Sequence, residues 1–137
     1  MADSKISALP AVTTPLALTE ELPAVQSSTT KKVTVQQMLT GVIVTESGTT
    51  RTLASTDNGK IIYCTSRSAV TINCASGLGA GFNCTIIQGG TGKVTVAPNS
   101  QTLVSYSSLF STMGQYAVIS LIAPVANTFV AAGNLGV

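Results

Sequence analysis

The chain has 137 residues, room for one domain or one small domain with a tail, and 45% apolar residues allow a real core. Only 9% of the residues are charged, against roughly 25% in an ordinary soluble domain, and Ser and Thr stand where charges usually do. A net charge of +2 with no basic cluster beyond Lys31-Lys32 excludes a nucleic-acid surface, and the absence of histidine excludes Ser-His-Asp and Cys-His catalysis and imidazole metal ligation.

Residues 1–41 follow neither a helical nor a strand period for long, and Pro10, Pro15 and Pro23 argue against a helix or a central strand. The start, Met-Ala-Asp-Ser-Lys, has no apolar stretch behind it, so no secretory signal is expected. Leu9-Pro10-Ala11-Val12 returns as Leu22-Pro23-Ala24-Val25, two apolar plugs on an otherwise extended segment. About 30 extended residues reach up to ~100 Å. The segment therefore reads as an arm that docks at two points, rather than as a disordered tail, which would be poorer in Leu, Val and Ile. Residues 30–35 look like a short strand, and residues 36–39 like a brief helical turn stopped by Gly41.

From Val42 onward, strand-like runs alternate with turn residues every eight to twelve positions, the pattern of an all-β domain. The predicted strands are 42–45, 50–53, 60–65, 69–74, 82–88, 93–97, 102–106, 116–123 and 128–132. Asp57-Asn58-Gly59 and Gly89-Gly90-Thr91-Gly92 predict tight hairpins, since Asn-Gly and Gly tolerate positive φ. Residues 75–81 form a glycine-rich loop. Alternation is clearest in Val70-Thr71-Ile72-Asn73 and Val94-Thr95-Val96, where one face is apolar and the other hydroxylic. The expected fold is a small antiparallel β-sandwich or barrel.

Chemistry is sparse. Beyond residue 41 the carboxylates are Glu46 and Asp57, too few for a convincing glycosidase pair, and Asp57 sits where a turn calls for Asp anyway. The glycine-rich segments match neither a dinucleotide nor a phosphate-loop fingerprint. Cys64, Cys74 and Cys84 lie ten residues apart, an odd number with no C-x-x-C spacing, and read as one small buried apolar residue per successive strand. No catalytic residue, metal ligand or cofactor is expected. The apolar stretch 117–126 is broken by Ser120 and Pro124 and falls short of the ~20 residues a membrane span needs. No charge of either sign occurs from Val94 to Val137. That fits either a hydroxyl-rich buried domain or a surface covered in an oligomer, because interface cores are depleted in charge. The second is the expectation.

Lys5-Ile6-Ser7-Ala8-Leu9-Pro10, Leu22-Pro23-Ala24-Val25-Gln26 and Thr30-Lys31-Lys32-Val33-Thr34-Val35 resemble the N-terminal segment of tailed-bacteriophage structural proteins. Downstream, Asp57-Asn58-Gly59-Lys60, Ala69-Val70-Thr71-Ile72, residues 81–88 and Gly92-Lys93-Val94-Thr95-Val96 are similar to a β-domain at the ends of such proteins. The resemblance implies a virion component at the capsid surface, assembled in the host cytoplasm. It implies a homotrimer whose residues 1–41 anchor to the major capsid protein while residues 42–137 form the β-domain. With no shaft between the two parts, a capsid decoration (cement) protein or head fibre is the closest role. The anchoring residues would be Ile6, Leu9, Pro10, Val12, Leu22, Pro23, Val25, Lys31, Lys32 and Val33. Contacts between copies would involve Tyr106, Phe110, Tyr116, Ile119, Leu121 and Phe129. The alternative is a fibre tip or adhesin that binds a host glycan through residues 75–81 and 98–101. Neither nucleic acid nor membrane is expected as a partner.

Overall fold

The computed structural model describes residues 21–26, 29–34 and 42–137. The chain divides into two units, Met1–Thr40 and Gly41–Val137. In the first, β1 (Glu21–Gln26) pairs antiparallel with β2 (Thr29–Thr34), with Leu22 opposite Val33 and Pro23 opposite Lys32. The strand expected over residues 30–35 is present as β2. Of the residues expected to anchor the arm, Leu22, Pro23, Val25, Lys31, Lys32 and Val33 lie on this antiparallel strand pair. Pro23 is compatible with this, because a two-stranded ribbon leaves one side of each strand unpaired. Ile6, Leu9, Pro10, Val12 and the helical turn expected at residues 36–39 lie outside the described residues.

The described part of the second unit is all-β apart from one 3-10 turn, Ser55–Asp57. Its strands are β3 (Ile43–Glu46), β4 (Thr50–Thr52), β5 (Lys60–Cys64), β6 (Val70–Asn73), β7 (Asn83–Gln88), β8 (Val94–Ala97), β9 (Thr102–Ser105), β10 (Ser111–Thr112), β11 (Val118–Val125), β12 (Thr128–Gly133) and β13 (Leu135–Gly136). They form a six-stranded sheet, ordered β3-β5-β7-β11-β12-β9, and a five-stranded sheet, ordered β13-β10-β8-β6-β4. Consecutive strands from β3 to β8 alternate between the sheets. Within each sheet they stack in parallel, β3-β5-β7 in one and β4-β6-β8 in the other. This is a β-solenoid, not the antiparallel sandwich or barrel that the pattern suggested. The last strands close one end: β10 and β11 run antiparallel to β8 and β7, and β12 pairs with β11 and, in parallel, with β9.

Turn chemistry explains the difference. At Asp57-Asn58-Gly59, Asn58 adopts φ −59° and ψ 130° while Gly59 has φ 72°. That is a type II geometry, not the I′ turn that folds a strand back on its neighbour. The turn passes the chain from one sheet to the other. Gly89-Gly90-Thr91-Gly92 does the same between β7 and β8, so the hairpin expected there does not form. This turn lies directly on the turn between β5 and β6. A Cβ on Gly90 or Gly92 would overlap the carbonyl oxygens of Ser66 and Ser68, and one on Gly89 would overlap the Tyr63 ring. Glycine is required there by close backbone approach. With the turns nested, β5-β6 and β7-β8 stack in one register, Ile62 beside Ile86 and Ile72 beside Val96.

Side chains alternate as the sequence predicts, with β6 and β8 each burying every second residue. The core between the sheets includes Leu53, Ile62, Ile72, Ile86, Val94 and Val96, all 1% exposed or less. Each such side chain contributes roughly 1.5–3 kcal/mol on burial. Ile119, Leu121 and Phe129 belong to this core at 0% exposure, and Phe82 meets Phe129 edge-on with ring centroids 6.4 Å apart. Those three residues, expected at contacts between copies, are therefore consumed inside one chain. Phe110 is half-buried against the same core.

Candidate functional site

The charged side chains nearest the start of the solenoid converge on one group. Glu46 ends β3, Arg51 is central in β4 and Asp57 closes the 3-10 turn. Arg51 Nη2 donates to Asp57 Oδ1 at 2.7 Å and Nη1 to Glu46 Oε2 at 3.1 Å. The remaining carboxylate oxygens accept backbone N–H groups, Ala54 N on Asp57 Oδ2 at 3.0 Å and Gly48 N on Glu46 Oε1 at 2.7 Å. Burial works against the Arg51 charge, but the hydrogen bonds to Asp57 and Glu46 outweigh it and hold the guanidinium above its ordinary pKa. Asp57 is 2% exposed, and both carboxylates are engaged by the one guanidinium. The cluster ties both sheets at the β3-β4 end.

A second polar group joins the sheets near the opposite end. Thr112 is fully buried, donates its hydroxyl to Gln88 Oε1 and accepts Val94 N–H at 2.9 Å. Gln88 Nε2 donates to Gly90 O at 3.2 Å, which fixes the nested turn to the core.

The cysteines are free and buried. Burial pushes Cys64 and Cys74 up to about 11 and Cys84 up to about 12. A thiol held protonated is a poor nucleophile and a poor metal ligand. Among the described residues no group of three or more His, Cys, Asp or Glu side chains is placed to hold a metal, and no helix is long and apolar enough to cross a membrane.

Two shallow cavities lie on opposite flanks. One, about 240 Å³, is lined by Ser55, Asn58 and residues 78–82. On this flank the glycine-rich loop meets the β11-β12 turn, Gly77 N donating to Asn127 Oδ1 at 3.0 Å, and residues 98–101 join through Asn99 Nδ2 donating to Cys74 O at 3.1 Å. The two loops expected in the glycan alternative are thus neighbours, but Phe82 beside them is only 5% exposed. The other cavity, about 330 Å³, is lined by residues 113–117 and Asn134. Tyr116, 70% exposed with φ 67°, stands there, held by its N–H to Gln88 O at 2.7 Å. Tyr106, fully exposed, follows β9 on the same flank. The exposed tyrosines and the two loops therefore occupy opposite flanks of the solenoid.

The two outer faces differ in chemistry. On the five-stranded sheet Thr50, Thr71, Thr95 and Ser111 fall in one file, and the Thr95 and Ser111 hydroxyls are hydrogen-bonded at 2.9 Å. The six-stranded sheet presents three files: Ile43, Ile61, Thr85, Ser120 and Ala132; Thr45, Tyr63, Ile87 and Val118; and Asn83, Ile122, Val130 and Val104. None of these residues is charged. The face mixes Ile, Val and Ala with Thr45, Tyr63, Asn83, Thr85 and Ser120, contributed by strands far apart in the chain.

No protein-family model matches the chain, and no curated protein matches it.

Proposed function

We propose that the chain is a non-catalytic structural protein of a tailed-phage particle, binding the outside of the capsid and bridging major capsid subunits as a homotrimer. The observation that carries the non-catalytic reading is the fate of the reactive groups. Both carboxylates of the solenoid are engaged by Arg51, and all three thiols are buried and held protonated. The domain offers surface rather than a reacting centre. The phage assignment is supported by the resemblance of residues 5–35 to the N-terminal segments of such proteins. Weak anchors would suffice for attachment, since three linked copies raise the effective concentration of every later contact. A protein that binds only the assembled shell stabilises that shell by mass action.

A second reading, a fibre tip that binds a host glycan, is favoured by the two exposed tyrosines on one flank, which could stack on sugar rings. Capsid sedimentation tests the first reading. The full chain is expected to pellet with purified capsids, and a chain beginning at Val42 to stay folded in the supernatant. Equal binding by both, or by neither, sinks the anchoring role and turns attention to the tyrosine flank, where Tyr116→Ala in a glycan-binding assay decides.

A further inference from the structure

We infer that the cavity beside Tyr116 is a binding site for a single hexose ring, with the Tyr116 ring as its stacking platform and the side-chain amides of Gln115 and Asn134 as its hydroxyl contacts. The cavity, about 330 Å³, is lined by residues 113–117 and Asn134. Ala117 N–H donates to Gly114 O at 3.1 Å, so Gly114-Gln115-Tyr116-Ala117 is a β-turn with Tyr116 in its third position. φ is positive at Tyr116, 67°, but not at Gln115. That is the type II pattern, in which the third position ordinarily belongs to Gly or Asn. A bulky side chain at positive φ is strained, and such strain collects at functional sites. Burial does not offset it, because Tyr116 is 70% exposed. The ring therefore burdens the turn without serving the core.

The polar groups around the ring identify the ligand. Gln115 Nε2 donates to Gly89 O at 2.8 Å, which orients the amide and leaves Oε1 without a partner among the described residues. Asn134 is seated by donating its N–H to Val118 O at 2.9 Å and by accepting Met113 N–H on its carbonyl at 3.0 Å. Its Oδ1 accepts Val118 N–H at 3.4 Å, leaving Nδ2 without a partner among the described residues. One oriented acceptor and one oriented donor suit a pair of hydroxyls, each of which can give or take a hydrogen bond. The face of the aromatic ring, with Met113 as an apolar rim, takes the C–H face of a sugar. Small-ligand cavities span roughly 300–1,000 Å³, so this one suits a single compact ring. A peptide would instead need a groove or a free sheet edge along its length, whereas one turn and one side chain bound this cavity.

This site deepens the glycan reading above and is independent of capsid attachment. Saturation-transfer NMR of the full chain with a panel of hexose disaccharides, each at millimolar concentration, should show transfer to the ring C–H protons of at least one sugar. Tyr116→Gly should weaken that sugar about tenfold while leaving the melting temperature unchanged or higher, because glycine relieves the turn. Gln115→Leu should weaken it severalfold, and Tyr106→Ala, on the same flank but outside the cavity, should leave binding intact. A melting temperature lowered by Tyr116→Gly would show that the ring serves the fold and overturn the inference. Binding that survives Tyr116→Gly but is lost in Tyr106→Ala would overturn this site and leave the glycan reading standing. No transfer to any disaccharide would sink both.

Discussion

Arg51 on β4 and Asp57 in the adjoining 3-10 turn form an ion pair at 2.7 Å in which the Asp57 side chain is 2% exposed while the Arg51 side chain keeps 22% of its surface in water. The asymmetry matters, because the buried member cannot recover hydration if its partner leaves. Glu46 completes the clamp from β3, so one guanidinium ties two sheets and a turn at the β3-β4 end of the solenoid.

Asp57→Ala should lower the unfolding free energy by about 3 kcal/mol, the lower end for breaking a buried pair, because Arg51 can still reach solvent. Urea unfolding followed by circular dichroism measures it. An unchanged midpoint would show that the clamp is decorative.

Thr112→Val keeps the shape but removes the hydroxyl that Gln88 Oε1 and Val94 N–H share. Two buried polar groups lose a partner, at about 1–3 kcal/mol. The same unfolding experiment reads the loss, and Thr112→Ser should recover most of it.

Gly92→Ala should be costly and Gly79→Ala nearly neutral. A methyl group on Gly92 collides with the Ser68 backbone in the turn below, whereas nothing lies within 4 Å of one on Gly79. Overpacking of this kind costs about 1–3 kcal/mol, against about 0.5 kcal/mol or less at an open surface site. Thermal melts of the two variants should separate by several degrees; equal melts would mean that the nested turns move apart freely.

The thiols set an alkaline limit. Burial raises their folded pKa values to about 11 and about 12 from an ordinary 9.0, so the folded chain keeps protons that the unfolded chain releases. Their stabilising contribution is full below pH 9.0 and is lost as pH climbs through the folded values. Stability should therefore fall from about pH 9 upward, and replacing Cys84 with Ala should flatten that fall. At pH 8 iodoacetamide should leave all three thiols unmodified until urea unfolds the chain; rapid labelling of the folded protein would contradict their burial.

Much of this architecture is legible in the chain. The alternation in Val70-Thr71-Ile72-Asn73 assigns its own inside and outside, and the cysteines read as core residues because their number is odd, they have no C-x-x-C spacing and the chain has no histidine. The candidate contacts between copies were less legible. Ile119, Leu121 and Phe129 carry the same apolar signal whether a residue fills its own core or a neighbour's, and here they fill their own. Tyr106 and Tyr116 remain at the surface, where an amphipathic ring is at home on either reading.

The residues by themselves determined nine of the strands beyond Val42, though not the short β10 and β13, and with them the turn positions, the all-β class and the absence of imidazole chemistry, because period-two alternation, glycine and side-chain inventory are local properties. Only the tertiary structure decided that the strands stack in parallel, that Gly89-Gly90-Thr91-Gly92 nests on the preceding turn, and that Ile122, Val130 and Val104 share a face. A strand shows the same alternation to a parallel or an antiparallel neighbour. Which neighbour it takes depends on whether the turn returns to the same sheet or crosses to the other, and in this chain that rests on backbone approach at Gly90 and Gly92 to carbonyls some twenty-four residues away.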